Sequence, residues 1–318
     1  MLPLLLAQAE SPDLWQTFQQ YALIGLTNGA LFALIALGYT MVYGIIELIN
    51  FAHGDVFMLG AFLALALVGW MKLDEAAPVA QWLGIALLFV VVPVFCAAVN
   101  VAIDRFVYKP LRRAPKLAPL VSAIGVSFVL MNVGLLWGGA ADRDFPNLVS
   151  RQNLLGDGAE LSFTYKDLMI FAVTVPIMIA LTLFVKATRL GKAMRATAQD
   201  PVAAQLMGIN ADRVIAATFA IGGALAGAAS VIYGLYINTV SYQMGFQNGL
   251  YAFTAAVLGG IGNIPGAVLG GLVIGLARSF GSAYVGERWT SALVFVILIA
   301  ILVFRPSGLL GTRTREKV

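Results

Sequence analysis

The residues able to do chemistry in this chain gather at one place. The stretch ELINFAHGDVF, residues 47–57, holds Glu47, Asn50, the only histidine of the chain (His53) and Asp55. A histidine and a carboxylate so close together suit three purposes: ligation of a metal ion, relay of a proton, or hydrogen bonding to a bent backbone. A metal centre takes three or four protein ligands. Besides His53 the chain offers one cysteine, Cys96, far along the sequence, and scattered acids. Serine catalysis would need His53 as base beside a G-x-S-x-G elbow, which the chain lacks.

Two further features invite a chemical reading. Arg278 lies late in the apolar run VIGLARSFGSAY. It can snorkel to a membrane surface, or form a buried pair, or grip a substrate carboxylate through its planar fork of donors. In VLGGIGNIPGAVLGG, the glycines Gly259, Gly260, Gly262 and Gly266 surround Pro265. A phosphate loop would need a flanking lysine between a strand and a helix, and neither is present. Close packing of small residues around a helix break and a break that lines a pathway are both open.

The elements that must position these residues follow from composition. Of 318 residues, 60% are hydrophobic and 11% charged, against roughly 25% charged in soluble domains. Mean hydropathy is +0.88. The fold class is therefore an all-α integral membrane protein, a polytopic bundle with broken or re-entrant helices. A span needs about 20 apolar residues, and continuous runs of that length exclude a β-barrel. Spans are expected at 21–46, 56–71, 79–103, 117–138, 168–185, 214–237, 264–284 and 290–304. The piece 249–262 is short, either a ninth crossing or a re-entrant half-helix. Cys96, inside an apolar run, reads as a small buried hydrophobe.

The net charge of +4 is explained by placement rather than by nucleic-acid binding. Fourteen of the 20 basic residues fall in 104–118 (Arg105, Lys109, Arg112, Arg113, Lys116), 186–213 (Lys186, Arg189, Lys192, Arg195, Arg213) and the C-terminal tail (Arg305, Arg313, Arg315, Lys317). Basic segments stay on the cytoplasmic side. The loop 139–167, with Asp142, Asp144, Asp157, Glu160 and Asp167, and the N-terminal tail 1–20, with Glu10 and Asp13, are expected outside. An outer N-terminus and a cytoplasmic C-terminal tail at 306–318 require an odd number of spans, which favours counting 249–262 as a short crossing. The outer loop is long enough to serve a partner or to pack locally as a flap.

The cytoplasmic stretch RLGKAMRATAQDPVAAQLMGINADRV, 189–214, is too polar to cross. Asp200 followed by Pro201 is a helix start, an N-cap carboxylate and then proline at the first helical position. Val202, Ala203, Leu206, Met207 and Ile209 supply an apolar face, and Gly208 can close the helix. Such a helix, about 198–210, either joins two spans or presents a knob for a partner. An internal echo is also visible. NGALFALIALGYTMVYGII leads to the break NFAHGD, and NGLYAFTAAVLGGIG leads to the break NIPG. Paired interrupted helices are a mark of transport pathways.

GYTMVYGIIELINFAHGDVFMLGAF (38–62), RATAQDPVAAQLMGIN (195–210), FAIGGALAGAAS (219–230) and VLGGIGNIPGAVLGG (257–271) together resemble the LivH-type permeases of the branched-chain amino acid ABC importer family. The resemblance runs through most of residues 20 to 310. Ala203, Ala204 and Gly208 match the coupling motif of importer permeases, while Val202 stands where a glutamate is usual. The resemblance implies a permease domain over 21–305 whose helix near 198–210 couples to an ATPase through Asp200, Pro201, Ala203, Ala204, Leu206, Met207 and Gly208. It further implies a second related, LivM-like permease, two cytoplasmic ATPase subunits that use ATP and magnesium, and a periplasmic amino-acid-binding protein. This chain would bind no cofactor and no nucleic acid, and would lie among the lipids of the bacterial inner membrane. The absence of a Walker A pattern agrees. An ion-coupled secondary transporter of small neutral solutes is the alternative, but such carriers usually show ionisable residues within their spans. An intramembrane enzyme is the third reading, and the ligand count above speaks against it.

Within that frame the opening stretch reads as a cytoplasm-side elbow between the first two spans. Gly54 is expected to break the helix. Asn50, His53 and Asp55 are expected to bond the backbone groups freed there, with Asp55 capping the next helix. A gating contact with substrate or partner permease is the second reading of the same residues.

Overall fold

Long apolar runs become long helices because backbone groups in lipid must be satisfied within their own segment. The computed structural model describes residues 14–112, 114–115, 117–156, 158–305 and 307–311. Glu10, Asp13, Arg113, Lys116, Asp157, Arg313, Arg315 and Lys317 lie outside the described residues. In chain order the elements are α1 (Leu14–Ile46), α2 (His53–Met71), α3 (Pro78–Leu111), α4 (Leu117–Gly138), β1 (Arg143–Asp144), α5 (Tyr165–Ala187), α6 (Arg189–Gln199), α7 (Pro201–Leu206), α8 (Ala211–Ile237), β2 (Thr239–Val240), α9 (Met244–Gly259), α10 (Ile264–Tyr284) and α11 (Glu287–Phe304). Near its end α3 relaxes into a π-helical turn, Asp104–Tyr108. Among the described residues, eight helices are long and apolar enough to cross a membrane. Residues 14–20, expected as tail, already belong to α1.

The bundle has a centre and a rim. α1, α2 and α8 are mostly buried, whereas α4, α5 and α11 turn most of their surface outward. Glycine sets the close crossings. A Cβ on Gly29 of α1 would stand 2.8 Å from the Leu272 Cα of α10, and one on Gly227 of α8 would stand 2.6 Å from the Pro93 Cα of α3. Without a hydrophobic drive between helices in lipid, such backbone approach is what association draws on. Cys96 is buried and free, as its apolar setting suggested.

The two ends differ. At one end β1 pairs antiparallel with β2, Phe145 N–H donates to the Asn238 carbonyl at 2.9 Å, and Ser162 N–H donates to Gln20 Oε1 at 2.8 Å. The loop 139–164 thus packs locally over its first half, with Phe145, Leu148 and Val149 buried. At the other end lie the basic segments. Arg112 and Lys109 both pair with Asp212, at 2.5 and 2.8 Å, and Arg112 also pairs with Asp104 at 2.6 Å.

α9 connects these two ends. It starts just after β2, and beyond its C-terminus Gly260 meets Gly308 and Gly311 at the basic end. Its 16 residues cover roughly 24 Å at 1.5 Å per residue, short of the roughly 30 Å of a bilayer's hydrocarbon core. The helix occupies 244–259 rather than 249–262, so Gly260 and Gly262 lie past its end. Residues 307–311 do not hang free as a tail. Leu309 and Leu310 N–H donate to the Leu258 and Gly259 carbonyls at 2.7 and 3.0 Å, closing the last turn of α9 from outside.

Candidate functional site

The elbow after α1 is a re-entry into the bundle. α1 ends at Ile46, and Glu47 takes a positive φ of 51°. Residues 47–52 are not helical, and α2 begins only at His53. The His53 imidazole packs so tightly on Gly38 that a Cβ there would overlap it. Gly38 precedes the end of α1 by eight residues, so α2 starts roughly 12 Å inside that end.

Three expectations for this stretch are corrected. The break precedes His53, and Gly54 lies within the first turn of α2. Gly54 serves instead as a crossing point, since a Cβ on it would overlap the Gly245 carbonyl of α9. Asp55 does not cap α2. The N-cap is Ala52, without a side-chain bond, and Asp55 Oδ2 accepts a 2.5 Å hydrogen bond from Ser127 Oγ of α4. Neither ring nitrogen of His53 makes a well-directed hydrogen bond, although the Ile35 carbonyl lies within electrostatic reach. The ring meets Tyr39 edge-on, at 4.6 Å between centroids.

The elbow is held by residues on distant helices. Asn50 Nδ2 donates to Asn100 Oδ1 at 3.0 Å, and Asn100 Nδ2 donates to the Phe219 carbonyl at 2.6 Å. Tyr108 Oη donates to the Ile49 carbonyl at 3.0 Å. Asn50, Asn100 and Tyr108 are all buried, where a polar group without a partner is costly. The elbow, α3 and α8 are thereby tied at one point. Asn100 and Ser127 are functional candidates that sequence reasoning passed over. The signal for Asn100 was its position as the one asparagine inside 79–103, deep in the apolar run.

Beside Asp55 an apolar cleft of about 70 Å³ opens between α1, α4 and α9. Its polar wall is Ser127 and Tyr39; aromatic side chains, Met131 and the bare backbone of Gly245 and Gly249 make up much of the rest. Among the described residues no three His, Cys, Asp or Glu side chains gather as metal ligands.

At the basic end the polar stretch forms two helices rather than one. α6 is capped by Thr188, whose Oγ1 accepts from Gly191 N–H at 3.0 Å. α7 is capped by Asp200, which accepts from the N–H groups of Val202 and Ala203 at 2.9 and 3.0 Å. Pro201 takes the first position and Gly208 closes the turn with φ of +84°. Asn210 caps α8. Ala204 is buried, while Val202, Leu206 and Met207 are 68%, 84% and 83% exposed. These three apolar side chains stand exposed together on one short helix. α6 lies beneath Gly44 and Ile45 of α1, so α7 is mechanically joined to the helix that leads into the elbow.

The glycine-rich break is a packing device. Asn263 caps α10 by accepting from Gly266 N–H at 3.0 Å and donates to the Leu310 carbonyl at 2.7 Å. Pro265 sits in the first turn of α10, and Gly259 and Gly266 meet backbone to backbone. Arg278 does not snorkel freely. Its guanidinium stands over the rings of Tyr251 and Phe32, at 5.2 and 5.7 Å, and lies 3.7 Å from Glu287.

Residues 21–302 match the family model described as the branched-chain amino acid transport system permease component. The chain belongs to that permease family. It is 43% identical to the high-affinity branched-chain amino acid transport system permease protein BraD of Pseudomonas aeruginosa, over 96% of this chain and all of BraD. It is also 43% identical to LivH of Escherichia coli, over 95% of this chain and 98% of LivH. A more distant likeness, 26% identity over 63% of each chain, is to the autoinducer 2 import system permease protein LsrD of Escherichia coli. No solved structure matches. This family member is a multi-pass membrane protein and a transporter component, not an enzyme.

Proposed function

We propose that this chain forms half of an inner-membrane pathway for branched-chain amino acids, with a LivM-like permease as the other half. Two ATPase subunits bind at the basic end and use ATP and magnesium. An amino-acid-binding protein delivers substrate at the β1–β2 end. The basic end faces the cytoplasm by the distribution of Lys and Arg, which puts the N-terminus outside. Near-full-length identity to BraD and LivH supports the substrate class. The observation that carries the coupling role is the exposed trio Val202, Leu206 and Met207 on a helix capped at both ends.

The fold suggests how a push there is felt. α7 follows α6 directly, and α6 is held to α5 by Arg195, which donates to the Val185 carbonyl. A Cβ on Gly191 would stand 2.5 Å from the Phe184 carbonyl, so this joint has little slack. Displacement of α7 by nucleotide-driven movement of the ATPases therefore shifts the adjoining ends of α5 and α1, and with them the elbow.

The test uses the full transporter in vesicles. Leu206→Asp with Met207→Asp should leave the two permeases paired in the membrane yet lose the ATPase subunits and uptake. Retained ATPase binding with normal leucine uptake would remove α7 from that role. Accumulation of leucine by the permeases alone, under a proton gradient and without ATPase subunits, would replace the proposal with the secondary-transporter reading.

A further inference from the structure

Asp55 is 1% exposed, and no salt bridge among the described residues includes it. Its Oδ1 has no hydrogen-bond partner, and its Oδ2 holds the Ser127 hydroxyl. Ionisable groups at membrane depth face a partner group, a cavity or a pathway. Here the adjoining space is the cleft between α1, α4 and α9. Ser127 and Gly245 line it, and both touch Asp55 from the cleft side: a Cβ on Gly245 would stand 3.1 Å from the Asp55 Cα. Because Ser127 spends its proton on Asp55, its oxygen lone pairs remain as acceptors. Tyr39 Oη, 3.0 Å from where a Gly249 Cβ would be, is the second polar atom. Phe128 and Phe246 are largely exposed, so the cleft opens on the chain's surface, as a pathway shared by two permeases requires.

We infer that this cleft is a subsite for the transported amino acid, with Ser127 Oγ and Tyr39 Oη accepting from its ammonium group and Asp55 as the counter-charge behind them. Phe128, Phe246 and Phe253 receive the branched aliphatic side chain. Asp55 acts through Ser127 and is a positioning residue rather than a direct ligand. A cation is what the site lacks: an ammonium supplies charge to an unpaired carboxylate, and the hydrocarbon part fits walls that offer no further hydrogen bonds. The inference rests on the amino acid reading above.

The experiment uses the assembled permease pair with its ATPases in nanodiscs, without the binding protein. The probe is leucine carrying a diazirine, and labelled peptides are found by mass spectrometry. Label is expected on the segments containing Phe128 and Phe246. Excess leucine should remove it, whereas 4-methylpentanoate, which lacks the ammonium group, should not. Asp55→Asn should cut labelling by about tenfold, and Ser127→Ala, which removes the accepting oxygen itself, at least as much. Unchanged labelling in assembled Asp55→Asn, or equal competition by 4-methylpentanoate, overturns the subsite. If Asp55→Asn does not assemble, Ser127→Ala and the competition decide. Leucine uptake by the complete transporter is measured in parallel. No uptake of any branched-chain amino acid defeats the functional reading. Uptake with labelling indifferent to Asp55 and to the ammonium group defeats the subsite alone.

Discussion

Removing the Asn100 amide should loosen the elbow by an amount that the structure sets. Asn100 is fully buried and makes two hydrogen bonds, one to Asn50 and one to the Phe219 carbonyl. Interhelical hydrogen bonds in membranes are worth about 0.6 kcal/mol on average and up to about 1.7. Two of them give roughly 1–3 kcal/mol. Asn100→Ala also strands Asn50 Nδ2 in a buried place, which pushes the cost to the upper part of that range. Asn50→Ala should cost less, about 1–2 kcal/mol, because Asn100 keeps its bond to Phe219. In the double variant the stranded donor is gone, so the two costs should overlap by about 1 kcal/mol. Unfolding of the nanodisc-reconstituted permease by steric trapping measures all four corners of the cycle. A cysteine at Leu48 should label faster in Asn100→Ala, since the re-entrant segment is tied there by one fewer strut. Coupling within about 0.3 kcal/mol of zero, with labelling of Leu48→Cys unchanged, would refute the idea that this amide pair holds the elbow.

Arg112→Met should destabilise by roughly 3–5 kcal/mol, because it leaves Asp104, 3% exposed at its side chain, without its closest cation. Asp212→Asn, whose carboxylate is 50% exposed, should cost under about 1 kcal/mol and only at low salt; equal losses on thermal unfolding would contradict the assignment. Gly54→Ala should cost about 1–3 kcal/mol through overlap with the Gly245 carbonyl, read as reduced yield of the folded permease. Gly208→Ala meets nothing within 4 Å, so its cost of about 1 kcal/mol is conformational, from φ of +84°, and Gly208→Asn should recover part of it in the same assay.

What was legible in the sequence was what a segment does to itself. The Asp200–Pro201 helix start and its Gly208 stop each involve partners within a few residues, and the structure places them as read. The long spans were equally plain, because twenty apolar residues admit few alternatives. The elbow was misread at the point where distant partners take over. Gly54 looks like a breaker by propensity, yet it is needed bare because Gly245, almost two hundred residues on, crosses there. Asp55 looks like a cap by position, yet Ser127 on another helix holds it. Glu47 carries the unusual backbone, with nothing in its residue type to announce a positive φ. The chain ends its first helix early and spends the next six residues climbing back beside Gly38. That course is stable only because Asn50, Asn100 and Tyr108 satisfy the exposed backbone and one another. A helix start buried by such means leaves Asp55 behind Ser127 at the wall of an apolar cleft instead of in water, and that placement follows from side-chain amides on distant elements, not from the stretch in which Asp55 is written.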